Sequence, residues 1–244
     1  MSSDGGLRKT PSVSINAPSV SIDEPGYGWR KCGPYHLFMA RYFEVHPKDP
    51  QPRSIAQVVD IVRSGGLIAY PTDSGYALGC QLGNREGLDR IRSIRDLDDA
   101  HHFTLVCREF AQLGQFVHMD NDVFRAVKAA TPGAYTFILP GTKEVPKQML
   151  HAKKKTVGVR IPPHRTALAL LEALDAPLMS STLILPGQTD PMHEGWVVND
   201  EIGAQVDAIL DSGDAGLEPT TVINLVDGVS VDRVGAGDPS PFQA

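Results

Sequence analysis

The segment Tyr70-Pro71-Thr72-Asp73-Ser74-Gly75-Tyr76-Ala77-Leu78-Gly79 concentrates groups able to do chemistry. The apolar run Leu67-Ile68-Ala69-Tyr70 reads as a short buried strand, and Pro71 is expected to end its pairing. Two hydroxyls and a carboxylate follow. Loops at strand ends hold ligand sites in open α/β sheets. Gly75 and Gly79 permit close backbone approach. Two readings stand side by side. Either Thr72, Asp73 and Ser74 cradle a small polar ligand, or Thr72 and Asp73 bond their own backbone in a turn.

Arg160 sits inside an apolar strand pattern, Val157-Gly158-Val159-Arg160-Ile161. A charge placed there needs a partner or a ligand. Basic residues also crowd Gly141 to Arg165: Lys143, Lys147, Lys153, Lys154, Lys155, Arg160 and Arg165 against the single acid Glu144. Such a segment faces a triphosphate or an RNA backbone, or it is a solvated loop; for Lys153 to Lys155 the loop is the plainer reading. Glu194 to Glu218 carries acids and neither Lys nor Arg. The formal net charge of −6 therefore hides a segregated distribution, and it supplies no global basic field for nucleic acid.

Several chemistries lack their signature. There is no phosphate-binding Gly-x4-Gly-Lys-Ser/Thr loop, and Gly235-Ala236-Gly237 has no helix expected after it. His101-His102 has no ligand-spaced partner, so no metal site is expected. No local Ser/His/Asp or Cys/His signature appears. Cys32, Cys80 and Cys107 form neither a disulfide framework nor a zinc set, which points to a reducing, cytoplasmic compartment. The N-terminus lacks a secretory h-region, and no apolar run has bilayer length.

The elements that must position these residues follow from periodicity. Residues 1–38 are rich in Ser, Pro and Gly and repeat Pro-Ser-Val-Ser-Ile, at Pro11 and again at Pro18. They read as a flexible extension, against an arm that docks through its alternating apolar residues. Met39 offers an internal start that would make the extension a gene-model artefact. Residues 39–244 form the expected domain. Ser54-Ile55-Ala56-Gln57 reads as a capping box before Val58, Val59 and Val62, with Gly65 and Gly66 as the stop. Asn84 is expected to cap a helix carrying Leu88, Ile91 and Ile94. Val123 to Ala130 and Thr166 to Leu174 read as helices. Strands are expected at Phe103 to Cys107, Tyr135 to Leu139, Thr156 to Ile161, Pro177 to Thr182, Thr220 to Leu225 and Val229 to Val234. This interleaving predicts an α/β (α+β) domain, a twisted mixed sheet flanked by helices.

These residues carry a resemblance. Gly65 to Gly79 resembles the opening signature of the YrdC-like family, Thr131 to Leu139 its second motif, Val157 to Pro162 its third, and Pro219 to Ile223 with Arg233 its last. The resemblance runs in order from about Phe43 to Phe242. The YciO-like subgroup shares Pro-Thr-Asp-Ser-Gly-Tyr-Ala-Leu-Gly and Gly141-Thr142-Lys143-Glu144-Val145-Pro146. The resemblance implies a sheet with a concave basic cavity. It also implies synthesis of L-threonylcarbamoyladenylate from ATP, L-threonine and bicarbonate, with magnesium and no tightly bound cofactor, in service of tRNA modification. Arg95 and Arg160 fall at catalytic positions. Thr72, Ser74, Arg160, Thr182 and Thr220 fall at amino-acid contacts. Arg95, His101, Thr136, Thr156 and Arg233 fall at nucleotide contacts. The alternative it implies is a nucleotide- or double-stranded-RNA-binding protein without this activity. The chain departs from the family pattern at Leu97, where a second arginine is usual, and at Ile184, where an asparagine is usual. Arg92, Arg108 and Lys143 are the candidates to replace the lost charge.

Overall fold

The computed structural model describes residues 39–98, 101, 103–151, 153–213 and 215–243. The readings of the N-terminal extension, Cys32 and His102 lie outside them.

The elements run in chain order as β1 (Arg41–Glu44), α1 (Pro52–Arg63), β2 (Ile68–Thr72), β3 (Gly75–Gln81), α2 (Arg85–Arg95), β4 (Thr104–Val106), α3 (Phe110–Leu113), α4 (Asn121–Ala129), β5 (Tyr135–Pro140), β6 (Thr156–Arg160), α5 (Arg165–Leu174), β7 (Leu178–Thr182), α6 (Gly195–Ile202), β8 (Ala208–Asp211), β9 (Thr221–Asn224) and β10 (Ser230–Arg233). All ten strands join one sheet, in the order β1-β8-β2-β3-β7-β4-β6-β5-β9-β10. The pairs β1/β8, β8/β2, β4/β6 and β5/β9 are parallel, and the others are antiparallel. This is the mixed α/β sheet expected from the interleaved pattern.

Local sequence explains most element ends. Asn84 Oδ1 accepts from Gly87 N at 3.0 Å, and its Nδ2 donates to Gly65 O at 2.8 Å, so one side chain ties the start of α2 to the end of α1. Asp120 caps α4 through the amides of Asp122 and Val123. The expected capping box at Ser54 does not form. Helix α1 starts instead at Pro52, whose fixed φ and missing N–H suit a first helical position, and Gln51 at the cap makes no side-chain bond. Pro71 does not end β2 either. It pairs opposite Tyr76, and β2 runs on to Thr72. The reason is that β8 pairs with β2 only at Ile68 and Ala69. Beyond them β2 has one ladder partner, and proline is tolerated on such a free edge.

Two apolar layers sandwich the sheet. On one face α1 and α5 bury Val58, Val62, Leu170 and Leu171 against Ile68, Tyr70, Leu178 and Leu210. On the other, α2, α3, α4 and α6 bury Leu88, Ile91, Leu113, Val127 and Val198 against Leu78, Leu105, Phe137 and Val159. The acidic tract serves the fold. Asp207 accepts from Leu67 N and pairs with Arg90 at 2.7 Å, while Asp211 accepts from Tyr76 Oη at 2.7 Å. Tyr70, Ala77 and Val106 belong to the α1/α5 layer and also border open space, so the cover over this face stops there.

Leu170→Ala removes a fully buried side chain from that layer. It should cost about 2–5 kcal/mol of unfolding free energy, read as a lower urea midpoint at unchanged slope. The same change at the exposed Leu217 should move it by no more than about 0.5 kcal/mol.

Candidate functional site

Strand β6 lies between β4 and β5, so the Arg160 side chain leaves the backbone inside the sheet, and the residue is only 6% exposed. Its Nη1 donates to Ser74 Oγ at 2.9 Å, and its Nη2 pairs with the Asp73 carboxylate. Both partners come from the turn between β2 and β3. Thr72 Oγ1 shapes that turn, donating to Gly75 O at 2.7 Å and accepting from Ser74 N at 3.1 Å. Gly75 has φ +93°, a conformation that side chains rarely adopt. Gly216 N donates to Thr72 O at 3.1 Å, and a Cβ on Gly216 would overlap the Asp73 carbonyl. The two readings of this segment therefore divide by residue: Thr72 bonds its own turn, while Asp73 and Ser74 turn outward to Arg160. Asp73 Oδ2 and Arg160 Nε are buried without a protein partner. Buried polar atoms are nearly always paired, and of these two residues only Arg160 borders open space, so its guanidinium is the group a ligand would meet.

Two further guanidiniums face the same space. Arg95, at the end of α2, reaches Ser181 Oγ and His101 Nε2 with Nη1, the latter at 3.3 Å. Its Nε donates to Ile184 O at 3.4 Å. Arg233, at the end of β10, donates to Thr220 O at 3.0 Å and to Thr220 Oγ1 at 3.1 Å, and Thr220 Oγ1 meets Thr136 Oγ1 at 2.9 Å. Burial lowers the pKa of both arginines, and the charge of Arg160 lowers that of Arg233 further. Thr104, Val106, Ile138, Gly158 and Val222 make a floor between them. The cavity holds about 380 Å³. Its described lining contains three arginines and no carboxylate, an arrangement that attracts an anion.

Thr72, Arg95, His101, Thr136, Arg160, Thr182, Thr220 and Arg233 thus line one cavity, with Ser74 behind Arg160. Thr156 does not join them. It opens β6 four residues from Arg160, about 13 Å along the strand. There it pairs with Pro140, buried at 1% exposure. Lys153 to Lys155 are exposed in the turn before it and do not line the cavity. None of the three proposed replacements for the missing cation lines it either. Arg92 lies over the Phe103 ring and pairs with Asp89, Arg108 pairs with Asp175 and Glu109, and Lys143 is exposed. Leu97 packs on the core, whereas Ile184 faces the cavity. Ser181 was not singled out from the sequence, although three hydroxyls in a row, Ser180 to Thr182, are unusual in an apolar strand.

His164 caps α5, accepting from Ala167 N at 3.4 Å. Burial lowers its pKa below the ordinary 6.5; Asp73 opposes this shift and Arg160 adds to it. The unfolded chain then binds a proton that the folded chain resists, so this group costs stability as pH falls below about 6.5. His164→Asn keeps a capping acceptor without the titration. Urea midpoints at pH 7.5 and 5.5 should fall less for the variant than for the parent, and equal falls would contradict the assignment.

Comparison with known proteins gives the family and the fold. Residues 60–235 match the Sua5/YciO/YrdC family model, which is described as Telomere recombination. The uncharacterized protein YciO of Escherichia coli K12 is 49% identical over 205 residues, spanning 84% of this chain and all of YciO. An uncharacterized protein of Haemophilus influenzae is 44% identical over 210 residues, again 84% of this chain and all of that protein. The crystal structure of E. coli YciO superposes with a TM-score of 0.81. P. abyssi Sua5 complexed with L-threonine shares the fold, at a TM-score of 0.73 and 24% identity over 80% of this chain and 57% of that one. The chain belongs to the Sua5/YciO/YrdC family.

Proposed function

We propose that the cavity binds a nucleotide beside a small amino acid and forms L-threonylcarbamoyladenylate from ATP, L-threonine and bicarbonate, releasing pyrophosphate. The observation that carries this reading is Arg160, a buried guanidinium braced by Asp73 and Ser74, with Nε left unpartnered. A planar fork of this kind suits a carboxylate. The fold's relative P. abyssi Sua5 is described as complexed with L-threonine, an amino acid with such a group.

The chemistry divides among the three arginines. Arg160 holds the amino-acid carboxylate, which leaves its amine free to add bicarbonate as a carbamate with loss of water. Arg95 and Arg233 hold the phosphates so that a carbamate oxygen displaces pyrophosphate at the α-phosphorus. Transfer at phosphorus relies on positioning and charge stabilisation, and guanidiniums supply both. The described lining offers Mg²⁺ no carboxylate, and no metal-holding cluster of His, Cys, Asp and Glu occurs among the described residues. These residues do not fit a resident magnesium, so the ion enters as counter-ion of the substrate triphosphate. The product suits the threonylcarbamoyl modification of adenosine in tRNA. A cytosolic setting fits Cys80 and Cys107, both free and buried, with thiols pushed up to about 12 by burial. No helix among the described residues is long and apolar enough to cross a membrane.

Leu97 and Ile184 make this a slow enzyme. Losing one transition-state donor costs about 10²–10³ in rate. The purified protein should release pyrophosphate from ATP, bicarbonate and magnesium only when L-threonine is present. Ile184→Asn should raise the rate at least about tenfold. Arg160→Lys should raise KM for threonine more than it lowers kcat, because a point charge replaces a fork. No threonine-dependent release above a buffer blank, at high protein concentration, sinks the reading.

A further inference from the structure

The cavity holds a second constellation that anion binding alone does not explain. Ser181, 6% exposed on β7, meets His101 Nε2 through Oγ at 3.1 Å. Arg95 Nη1 contacts both groups. The donor and acceptor roles follow from elementary chemistry. A guanidinium has donors and no acceptor, so the ring nitrogen facing it presents a lone pair. The imidazole proton therefore sits on Nδ1, and the Ser181 hydroxyl donates its own proton to Nε2. Edge-on packing of His101 against Phe103, with centroids 5.4 Å apart, fixes the ring plane. The neighbouring Ser180 is occupied differently: it donates to Leu78 O and meets Tyr70 Oη, both at 2.9 Å. A hydroxyl bonded to a base acceptor, with a cation donating to its oxygen, is the arrangement of an activated nucleophile.

The geometry points to a Ser181–His101 dyad, flanked by Arg95, that hydrolyses mixed anhydrides between a carbonyl and a phosphate. The dyad stands on these contacts alone. The choice of anhydride follows from the lining and rests on the proposed function. A leaving group released beside Arg95 is best anionic, and the proposed product is itself such an anhydride.

The steps balance. Ser181 Oγ attacks the carbonyl carbon, and His101 Nε2 takes the hydroxyl proton. The bond from that carbon to the bridging oxygen breaks, and the phosphate departs beside Arg95 with the electron pair and the proton of the imidazolium, which returns His101 to its neutral form. A water then attacks the acyl-serine, giving one proton to His101. The ester bond breaks as the imidazolium returns a proton to Ser181, and the acid leaves. The site would thus clear anhydrides that are not passed on.

Acetyl-adenylate is the probe, with AMP release as readout, in the absence of ATP, threonine and bicarbonate. The parent protein should release AMP above the spontaneous rate. Ser181→Ala and His101→Gln should each lose about 100-fold or more. A fluorophosphonate should label Ser181 of the parent protein, seen by mass spectrometry of the peptide, and should fail on His101→Gln. The labelling keeps the test intact if a variant folds poorly. Equal AMP release by parent and Ser181→Ala, or a probe that leaves Ser181 of the parent unmodified, would overturn the dyad. The threonine-dependent pyrophosphate assay contains no added anhydride, so failure of one assay with success of the other shows which reading is wrong.

Discussion

A guanidinium in the interior of a β-sheet sets the terms for the whole site. Arg160 ends β6, a strand flanked by β4 and β5, and water does not reach most of it. Removing one member of a buried ion pair costs about 3–5 kcal/mol, so Asp73 must be where it is. Its placement needs a turn that bends sharply after Thr72. That turn needs Thr72 Oγ1 on Gly75 O, a positive φ at Gly75, and a segment at Gly216 without a side chain. Strand β2 must also outrun β8, and so Pro71 can lie within it. A demand made by one charge thus reaches four separate stretches of chain.

The same demand organises the remaining charge. Asp207 and Asp211 are spent on the Leu67 amide, Arg90 and the Tyr76 hydroxyl. The lysine run stays in water. What lines the cavity is arginine, hydroxyl and a strip of apolar floor. Arginine suits this work because its charge survives burial, which lowers but does not remove its proton affinity. The two departures from the family pattern act differently. Leu97 takes its place in the core, so the missing cation leaves no polar group behind. Ile184 faces the cavity and replaces a hydrogen-bonding wall with an apolar one, while its carbonyl steadies Arg95.

Much of this was legible in the sequence, for reasons that can be named. Arg160 betrayed itself as a charge in an apolar strand. Asn84, Gly65 and the periodic Leu88, Ile91 and Ile94 marked their helix because caps and periodicity are local. The strands around the motifs were apolar and bounded by turn residues. The failures were cases where distant chain decided. Ser54 carried a cap pattern, yet Pro52 began the helix. Strands β1 and β8 went unread because each is four residues long and gains its partner across the domain, and β3 went unread because Thr72 to Gly75 marked a loop rather than the turn of a hairpin. Thr156 shares a strand with Arg160, but not the same end of it. No local spacing joins Ser181 to His101, because β7 and the segment after α2 meet only in the folded sheet. Nucleophile and base pairs are commonly assembled in this way.

The central claim is that Arg160 receives a carboxylate. Calorimetric titration of L-threonine and of L-threoninamide into the full chain, each with a non-hydrolysable ATP analogue present, tests it most directly. The two ligands differ only in the group Arg160 is assigned to hold. The account predicts saturable binding of L-threonine, little or none of the amide, and loss of the difference in Arg160→Ala. Equal affinity for acid and amide, or a preference for the acid that persists without Arg160, would contradict it.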